Sequence, residues 1–278
     1  VGNVTNMFNI FYSSGISNNN YSIFLIMAAE TSTQQNINVG NFPAEYYVSA
    51  SSDKIILSNL GWTFTDGGIS DDFASVWRTT AANESITIPT VSGLTYNYTI
   101  NWGDGTTEVV TADTSPTHVY LVPGDYTIAI NGTFPSIKFN NEGDKDKILA
   151  IPSLGNVGWT SFDSAFYGCS NLVAVFGGDT SNVTSMASMF QEAGLVDPVT
   201  SHWDTSNVTD MNYMFYLAET AEPDTSNWNT GNVTSMLSMF DEAGSANPDT
   251  SSWDTSKVEN MAFMFFGATS TVPDTSSW

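Results

Sequence analysis

The sequence predicts a mixed repeat protein, in which an α/β solenoid of 25-residue strand-helix coils is joined to an all-β, immunoglobulin-like sandwich. Two observations support this prediction: a fixed period in the C-terminal half, and a series of short alternating segments before it. The expected divisions are 1–70 as the last coil and C-terminal cap of a solenoid, 71–145 as the sandwich, and 146–278 as a repeat solenoid that continues into a next module.

A twelve-residue motif recurs through the C-terminal half. Its copies begin at Asp179, Asp204, Asn229 and Asp254, and the same step of 25 separates Trp203, Trp228, Trp253 and Trp278. A fifth, degenerate copy precedes them around Phe162. Because one such unit cannot bury its apolar side alone, the stack is expected to be stable only collectively.

Each coil is expected to be a short strand that turns into a short helix. Val208 and Met211 flank polar residues, as in an extended stretch. Apolar residues then recur at i, i+3, i+4 and i+7 from Met211 to Ala218, which is one face of a helix. Stacking at the strand spacing of about 4.8 Å would form a core of Val, Met, Phe and Trp layers.

The preceding region has the pattern of a sandwich. Short runs with a period of two are separated by Gly, Asp and Pro turn signals. The runs are 84–91, 96–102, 107–112, 117–120, 125–132 and 136–139. Nearer the N-terminus, helix-like patterns at 21–29 and 43–60 alternate with strand-like ones at 36–39 and 61–68.

Composition limits the partners. The formal net charge of -23 means that nucleic acid and acidic membrane surfaces are repelled. The longest apolar run, 23–29, is far shorter than the roughly 20 residues of a membrane span, so no membrane insertion is expected. The single cysteine, Cys169, cannot form an internal disulfide and is expected to be a buried thiol.

Two resemblances follow from these motifs. WDTSNVTDMNYMF (203–215) resembles the BspA-type surface-protein repeat, a variant leucine-rich repeat in which Met and Phe replace most leucines. NWGDGTTE (101–108) with HVYLVPGDYTI (118–128) resembles a polycystic-kidney-disease (PKD) domain. The resemblance to giant bacterial adhesins implies a secreted protein that is held at the cell surface.

The sequence offers no catalytic constellation, so we expect no enzyme activity. No carboxylate pair stands beside a suitable His or Lys, and Cys169 has no identifiable base. Gly-rich phosphate loops are also absent from the sequence. His118 and His202 lack a second ligand at metal-binding spacing and are expected to be structural.

Carboxylates and carboxamides recur along the repeats. The recurring Asp residues favour turn capping, with cation binding as the alternative. Asn182, Asn207 and Asn232 are expected to bond the backbone of the next coil, with glycosylation as the alternative. Acidic stretches at the sandwich junctions are either linkers or calcium sites. The calcium candidates are Asp66, Asp71, Asp72, Asp144 and Asp146.

The predicted function is a structural stalk or adhesive module of a long extracellular protein, with neighbouring copies of the same module as partners. A second hypothesis is a recognition module, in which Thr209 and Asp210 on the open strand face bind a glycan or protein. A third is an accessory region of a secreted carbohydrate-active enzyme.

The two ends of the sequence share the repeat register. Val1–Thr5 aligns with Thr230–Thr234, which places Met7 at the position of Met236. We therefore expect a tandem module of about 279 residues, whose solenoid is completed by the first residues of the next copy.

Overall fold

The computed structural model describes residues 38–41, 45–47, 63–65, 68–276 and 278. Residues 1–72 and 73–278 form two separate compact parts. The first contains strands β1 (Asn38–Asn41), β2 (Glu45–Tyr47), β3 (Thr63–Thr65) and β4 (Gly68–Ser70). β1 pairs with β3 and β2 with β4, both in parallel.

The strands β1 and β3 overlap the strand-like patterns of the sequence. The helix expected at 43–60 is replaced by a strand at 45–47, and the rest of that segment lies outside the described residues. The helix-like run at 21–29 also lies outside them.

Nine strands lie in the described residues of the second part. They are β5 (Phe73–Thr79), β6 (Glu84–Thr87), β7 (Asn97–Asn101), β8 (Thr107–Val110), β9 (Thr117–Tyr120), β10 (Gly124–Thr133), β11 (Ile148–Ser153), β12 (Ala174–Val175) and β13 (Asp197–Pro198). Seven form one sheet in the order β13-β12-β11-β5-β10-β7-β8, and β6 pairs separately with β9.

We call residues 73–133 the sandwich region. The long strand β10 is central to it, because it pairs antiparallel with both β5 and β7. Gly132 allows this pairing: its φ is 116°, and a Cβ there would lie 2.6 Å from the Asn97 carbonyl oxygen. Trp102 and Tyr120 are buried, and the Tyr120 hydroxyl donates to the Trp102 carbonyl at 2.7 Å. The run at 136–139 is not a strand.

The main sheet continues from the sandwich region into the repeats. β11 pairs antiparallel with β5, and β12 and β13 then add in parallel. The sheet therefore crosses the expected division between residues 145 and 146. The domain boundaries themselves stay a prediction.

The predicted α/β solenoid of strand-helix coils is wrong. The structure assigns no helix to any residue that it describes, and the fold is mostly β-sheet. Turns, isolated parallel bridges and the two short strands β12 and β13 make up the repeats. We define five repeat units: 160–183, 184–208, 209–233, 234–258 and 259–278.

Left-handed backbone replaces the helix. In each repeat unit two residues four positions apart have φ between 50° and 75°. One left-handed column is Ser164, Ser188, Tyr213, Ser238 and Phe263; the other is Gly168, Glu192, Leu217, Glu242 and Gly267. A residue with positive φ cannot continue a right-handed helix. The i+3 and i+4 spacing therefore comes from successive turns.

Two kinds of backbone hydrogen bond alternate along these turns. The amides of Met211, Tyr213 and Phe215 donate to carbonyls of the next repeat unit at 2.8–3.1 Å. Between them, the Met214 amide donates three residues back to the Met211 carbonyl at 3.3 Å, and the Asn212 amide donates to the Asp210 side chain at 2.9 Å. In this stretch some amides thus close the turns of their own repeat unit, and the alternate amides bind the next repeat unit.

The core of the stack is a series of apolar columns. Phe166, Phe190, Phe215, Phe240 and Phe265 stack with ring centroids 5.3–5.8 Å apart. A second column of buried indoles runs beside them, and its ring N–H groups have no partner among the described residues. These indoles are Trp203, Trp228 and Trp253. They therefore stabilise the stack through buried area.

Residues 134–142 cover the first repeat unit. Phe134 donates its amide to the Val157 carbonyl at 2.7 Å, and Thr160 donates to the Pro135 carbonyl at 2.8 Å. Lys138 forms an ion pair with Asp163 at 2.6 Å. This end of the stack is therefore capped by the chain that leaves β10.

Candidate functional site

Of the proposed recognition residues, Thr209 is exposed and Asp210 is half-buried, and their polar atoms form hydrogen bonds within the stack. The Thr209 hydroxyl donates to the Thr184 carbonyl at 3.1 Å. One Asp210 carboxylate oxygen accepts the Asn212 amide at 2.9 Å. Asp210 also bridges Ser185 and Ser235 in the parallel ladder. These contacts give both residues a structural role, and binding by them stays a prediction.

The recurring Asp residues, and Asn229 at the same position, cap turns. In each case one side-chain oxygen accepts the amide two residues later, at 2.9–3.1 Å. The residues that do so are Asp179, Asp204, Asp224, Asn229, Asp249, Asp254 and Asp274. Hydrogen bonds from the serine two positions on lower the pKa of Asp249, Asp254 and Asp274. Capping, the favoured interpretation of the sequence, is confirmed.

The carboxamide column also bonds between repeat units. Asn207 donates its side-chain amide to the Ser181 carbonyl, and Asn232 donates to the Ser206 carbonyl, both at 2.7 Å. The predicted bond between coils is present at these two positions, but it reaches back to the preceding repeat unit and not on to the next one. In the last copy, Lys257 continues the column by donating to the Asn232 side-chain oxygen at 2.7 Å.

The calcium candidates fall in different surroundings. Asp66 lies outside the described residues, and Asp71 and Asp72 belong to the first compact part. In the second part, Asp144 accepts the Thr87 amide at 2.8 Å. Within the described ranges, no group of three or more His, Cys, Asp or Glu side chains is arranged to hold a metal ion. Calcium binding stays a prediction.

Lysines hold both junction carboxylates of the second part. The Lys147 ammonium lies 2.8 Å from Asp144 and 3.1 Å from Glu84. Lys145 lies 3.1 Å from Asp146, whose carboxylate also accepts the Ser170 hydroxyl at 2.8 Å. Cations already neutralise these carboxylates, which weakens the electrostatic case for a calcium ion.

A groove of about 470 Å³ lies between the sandwich region and the first repeat units. Its floor is apolar, with Val173 and Leu195 about half exposed. Its rim carries Arg78, which forms two 2.7 Å hydrogen bonds to Asp125, and Lys147. Sequence reasoning missed this groove because four separate segments line it and no local motif marks it.

Glu84 is a firmly held carboxylate in the lining of the groove. The backbone amides of Thr80 and Ala81 bind its carboxylate at 2.7 and 3.1 Å, and Lys147 pairs with it. These contacts lower the pKa of Glu84 to about 2. An ionised carboxylate held this firmly is a poor general acid or base near neutral pH.

A carboxylate–histidine pair involves the turn between β7 and β8. Asp104 accepts from the His118 ring at 2.7 Å, and that ring stacks on Trp102 with centroids 5.0 Å apart. Burial alone would raise the pKa of Asp104, but hydrogen bonds from Thr106 and His118 outweigh it and lower the pKa to about 2. His202, the other histidine, is exposed on the repeats. His118 thus anchors the turn.

The fifth repeat unit has the largest exposed apolar surface in the repeats. Phe263, Phe266 and Val272 have 65%, 60% and 81% of their surface exposed. Met261 and Phe265 are partly exposed, while their counterparts Met236 and Phe240 are fully buried. Residues at this end therefore meet solvent where inner residues meet another repeat unit.

Burial raises the pKa of the Cys169 thiol well above its usual range, as expected for an unreactive buried cysteine.

In the described parts of the chain, no helix is long and apolar enough to cross a membrane.

Comparisons with known proteins bear on the repeats alone. Residues 160–278 match a family model described as a Mycoplasma protein of unknown function, DUF285. This match covers less than half of the chain. No curated protein matches the chain, and no solved structure matches it. The repeat region is thus similar to a family whose function is unknown.

Proposed function

We propose that this chain is a structural and adhesive repeat module of a long extracellular protein, acting as a stalk and surface-contact element. The observation that carries the proposal is the repeated bonding between repeat units. Equivalent amides bond equivalent carbonyls across each of the four interfaces, at 2.7–3.1 Å. Such a stack transmits load along its length without depending on any one residue.

The surface chemistry supports the same role. With 29 acidic and 6 basic residues, neighbouring stacks repel one another, which keeps long fibres apart. The fold needs no disulfide, and the resemblance to BspA-type surface repeats and a PKD domain agrees with a place at the cell surface. The family match neither adds to nor opposes this assignment.

The two other hypotheses have less support. Recognition through Thr209 and Asp210 would require polar atoms that already serve the stack. An accessory role beside a catalytic domain predicts no specific function for any described residue. We therefore take the stalk and surface-contact role as the conclusion.

Single-molecule pulling tests the proposal. Detaching one repeat unit releases 25 residues, or about 85 Å of chain after subtracting the thickness of the repeat unit. We expect a series of steps of this length, because the bonds between repeat units are equivalent. A single step for the whole repeat region, or extension without measurable resistance, would contradict a load-bearing stack.

A further inference from the structure

One column of side chains changes character from layer to layer, where the cap at 134–142 and each repeat unit count as one layer. We call it the alternating column, and its members are Asn140, Tyr167, Gln191, Tyr216, Asp241 and Phe266. The backbone fixes their order, because the amide after each of the first five members donates to the carbonyl of the next member at 2.7–3.0 Å. Polar and aromatic members therefore alternate, whereas the phenylalanine column carries the same ring in every repeat unit.

The aromatic members form ridges across the stack. Tyr213 lies beside Tyr216, with ring centroids 5.9 Å apart and ring planes at 88°. Phe263 lies beside Phe266 in the same way, at 6.1 Å and 84°. Tyr167 is the ridge of the first repeat unit, and the three Tyr rings are partly exposed although a layer is present on each side of them. Successive ridges are two layers apart, or roughly 10 Å at the strand spacing.

The polar members between the ridges have unused hydrogen-bonding capacity. The side-chain amides of Asn140 and Gln191 make no hydrogen bond to a described residue. Asp241 is 9% exposed, and among the described residues its carboxylate accepts only the Ser238 hydroxyl, at 3.0 Å, and forms no ion pair. A carboxylate can accept several hydrogen bonds at once. The Asn column described above, by contrast, uses its side-chain amides within the stack.

These features select the chemistry of a ligand. The electron-rich face of an aromatic ring attracts the weakly positive C–H groups on the face of a sugar ring, and carboxylate and carboxamide groups bind sugar hydroxyls. In a β-1,4-linked polysaccharide each sugar is turned over relative to the one before it. Equivalent faces therefore recur at every second sugar, which is close to the separation of two layers. The net charge of -23 disfavours acidic polysaccharides, so the polymer that fits is neutral.

We propose that the alternating column binds a neutral β-1,4-linked polysaccharide, of the glucan or N-acetylglucosamine class, that runs parallel to the stack. One sugar stacks on the ridge at Tyr167 and the next but one on the ridge at Tyr216, while the sugar between them turns its hydroxyls toward Gln191. The Asp241 carboxylate accepts hydroxyls of the sugar that follows the Tyr216 ridge. This site rests on the proposed surface-contact role, and it can be absent while the stack still bears load in pulling experiments.

Calorimetric titration of the full chain with soluble oligosaccharides tests the ligand class. Cellohexaose and chitohexaose are the probes, because they separate the glucan from the N-acetylglucosamine polymer. Maltohexaose is the control, because its α-1,4 linkages do not turn successive sugars over. At least one probe should bind about 10-fold more tightly than maltohexaose, and its affinity should rise up to five sugars, which span all three ridges. Equal binding of maltohexaose, or no binding of either probe at about 1 mM, overturns the proposal.

Substitutions in the column test whether the alternation matters. Tyr216→Ala removes a ridge and should weaken binding about 10-fold, while Tyr216→Phe keeps the ring and should bind within about 2-fold of the original chain. Gln191→Tyr adds aromatic area but fills the space between two ridges, so it should also weaken binding. Val109→Ser is the matched control, because it removes an exposed apolar side chain from β8 in the sandwich region, and it should leave the affinity unchanged.

The thermal midpoint of each variant separates loss of the site from loss of the fold. A Tyr216→Ala chain that keeps its midpoint and its affinity overturns the proposal. Tighter binding by Gln191→Tyr overturns it as well, because the rings would then act as a nonspecific apolar surface on which the spacing of the ridges is unimportant.

Discussion

Left-handed residues determine the local structure of the repeats. Eight of the ten residues in the two left-handed columns are not glycine. The left-handed conformation costs an L-residue roughly 1–2 kcal/mol. This cost is offset because the turn directs alternate amides toward the next repeat unit, where each donates to a carbonyl. The strain is therefore a local cost of the bonding between repeat units.

This strain can be relieved at Glu242. Its side chain is exposed, and Gly168 and Gly267 occupy the same position in other repeat units. Glu242→Gly should raise the free energy of unfolding by up to about 1 kcal/mol, since part of the relief is offset by greater freedom of the unfolded chain. Glu242→Val should lower it, because a β-branched residue tolerates positive φ poorly. Urea denaturation measures both free energies. If the Gly variant is less stable than the Val variant, the left-handed conformation assigned to Glu242 is wrong.

Acid should weaken the groove rim through Glu84. Its folded pKa, about 2, lies below the ordinary value of 4.5. A depressed folded pKa contributes stability above the unfolded pKa, and that stability is lost as pH falls from about 4.5 to about 2. Between pH 7 and 5 this contribution should be constant.

The difference in unfolding free energy between the original chain and Glu84→Gln isolates this contribution. The difference should be constant near neutral pH and shrink over the window from pH 4.5 to 2. Asp104 shares the window, since its pKa is also about 2, and it serves as a background common to both chains. A difference that does not change with pH would show that the carboxylate charge is unimportant there.

The sequence patterns predicted the period of the repeats correctly, but not their backbone conformation. The 25-residue step, the capping carboxylates and the Asn column all follow from residue type and spacing. The predicted helix is wrong, because apolar residues have the same spacing in a helix and in paired turns. Here these residues are Met211, Met214, Phe215 and Ala218. Strand β5 was missed because it is central and buried on both faces over part of its length, which hides any alternation. The groove was missed because it is assembled from distant segments.

At the scale of elements, the phenylalanine column connects the repeat units. Phe215 is fully buried, and its ring lies 5.6 Å from Phe190 and 5.3 Å from Phe240. The column resembles stacked side chains in other repeat folds, where each layer depends on its two neighbours. Loss of an inner ring should therefore cost more than loss of the last one.

Phe215→Ala should lower the free energy of unfolding by about 3–5 kcal/mol, the usual cost of removing a buried aromatic ring. Phe265→Ala is the matched control in the fifth repeat unit, where the same ring is partly exposed and has one stacked Phe neighbour, and it should cost clearly less. Guanidinium denaturation monitored by Trp fluorescence gives both values. Equal losses at the two positions would mean that the column does not couple the repeat units.

The whole second part behaves as a sheet that is extended by a stack. The β5–β11 pairing connects the sandwich strands to the repeats, and residues 134–142 cap the first repeat unit. From there each repeat unit binds the next through the same alternate amides and the same apolar columns. The repeat units should therefore be interchangeable, and the stack should tolerate a change in their number but not in their register.

Deletion of one repeat unit tests this account most directly. Removing residues 209–233 joins Val208 to Thr234 and preserves every column, so the shortened chain should unfold cooperatively, with a thermal midpoint within a few degrees of the original. Removing one residue fewer, 209–232, shifts the columns and should lower the midpoint by about 10 °C or more. The account is contradicted if the two deletions damage the fold equally, because the repeat units would then not be equivalent layers of one stack.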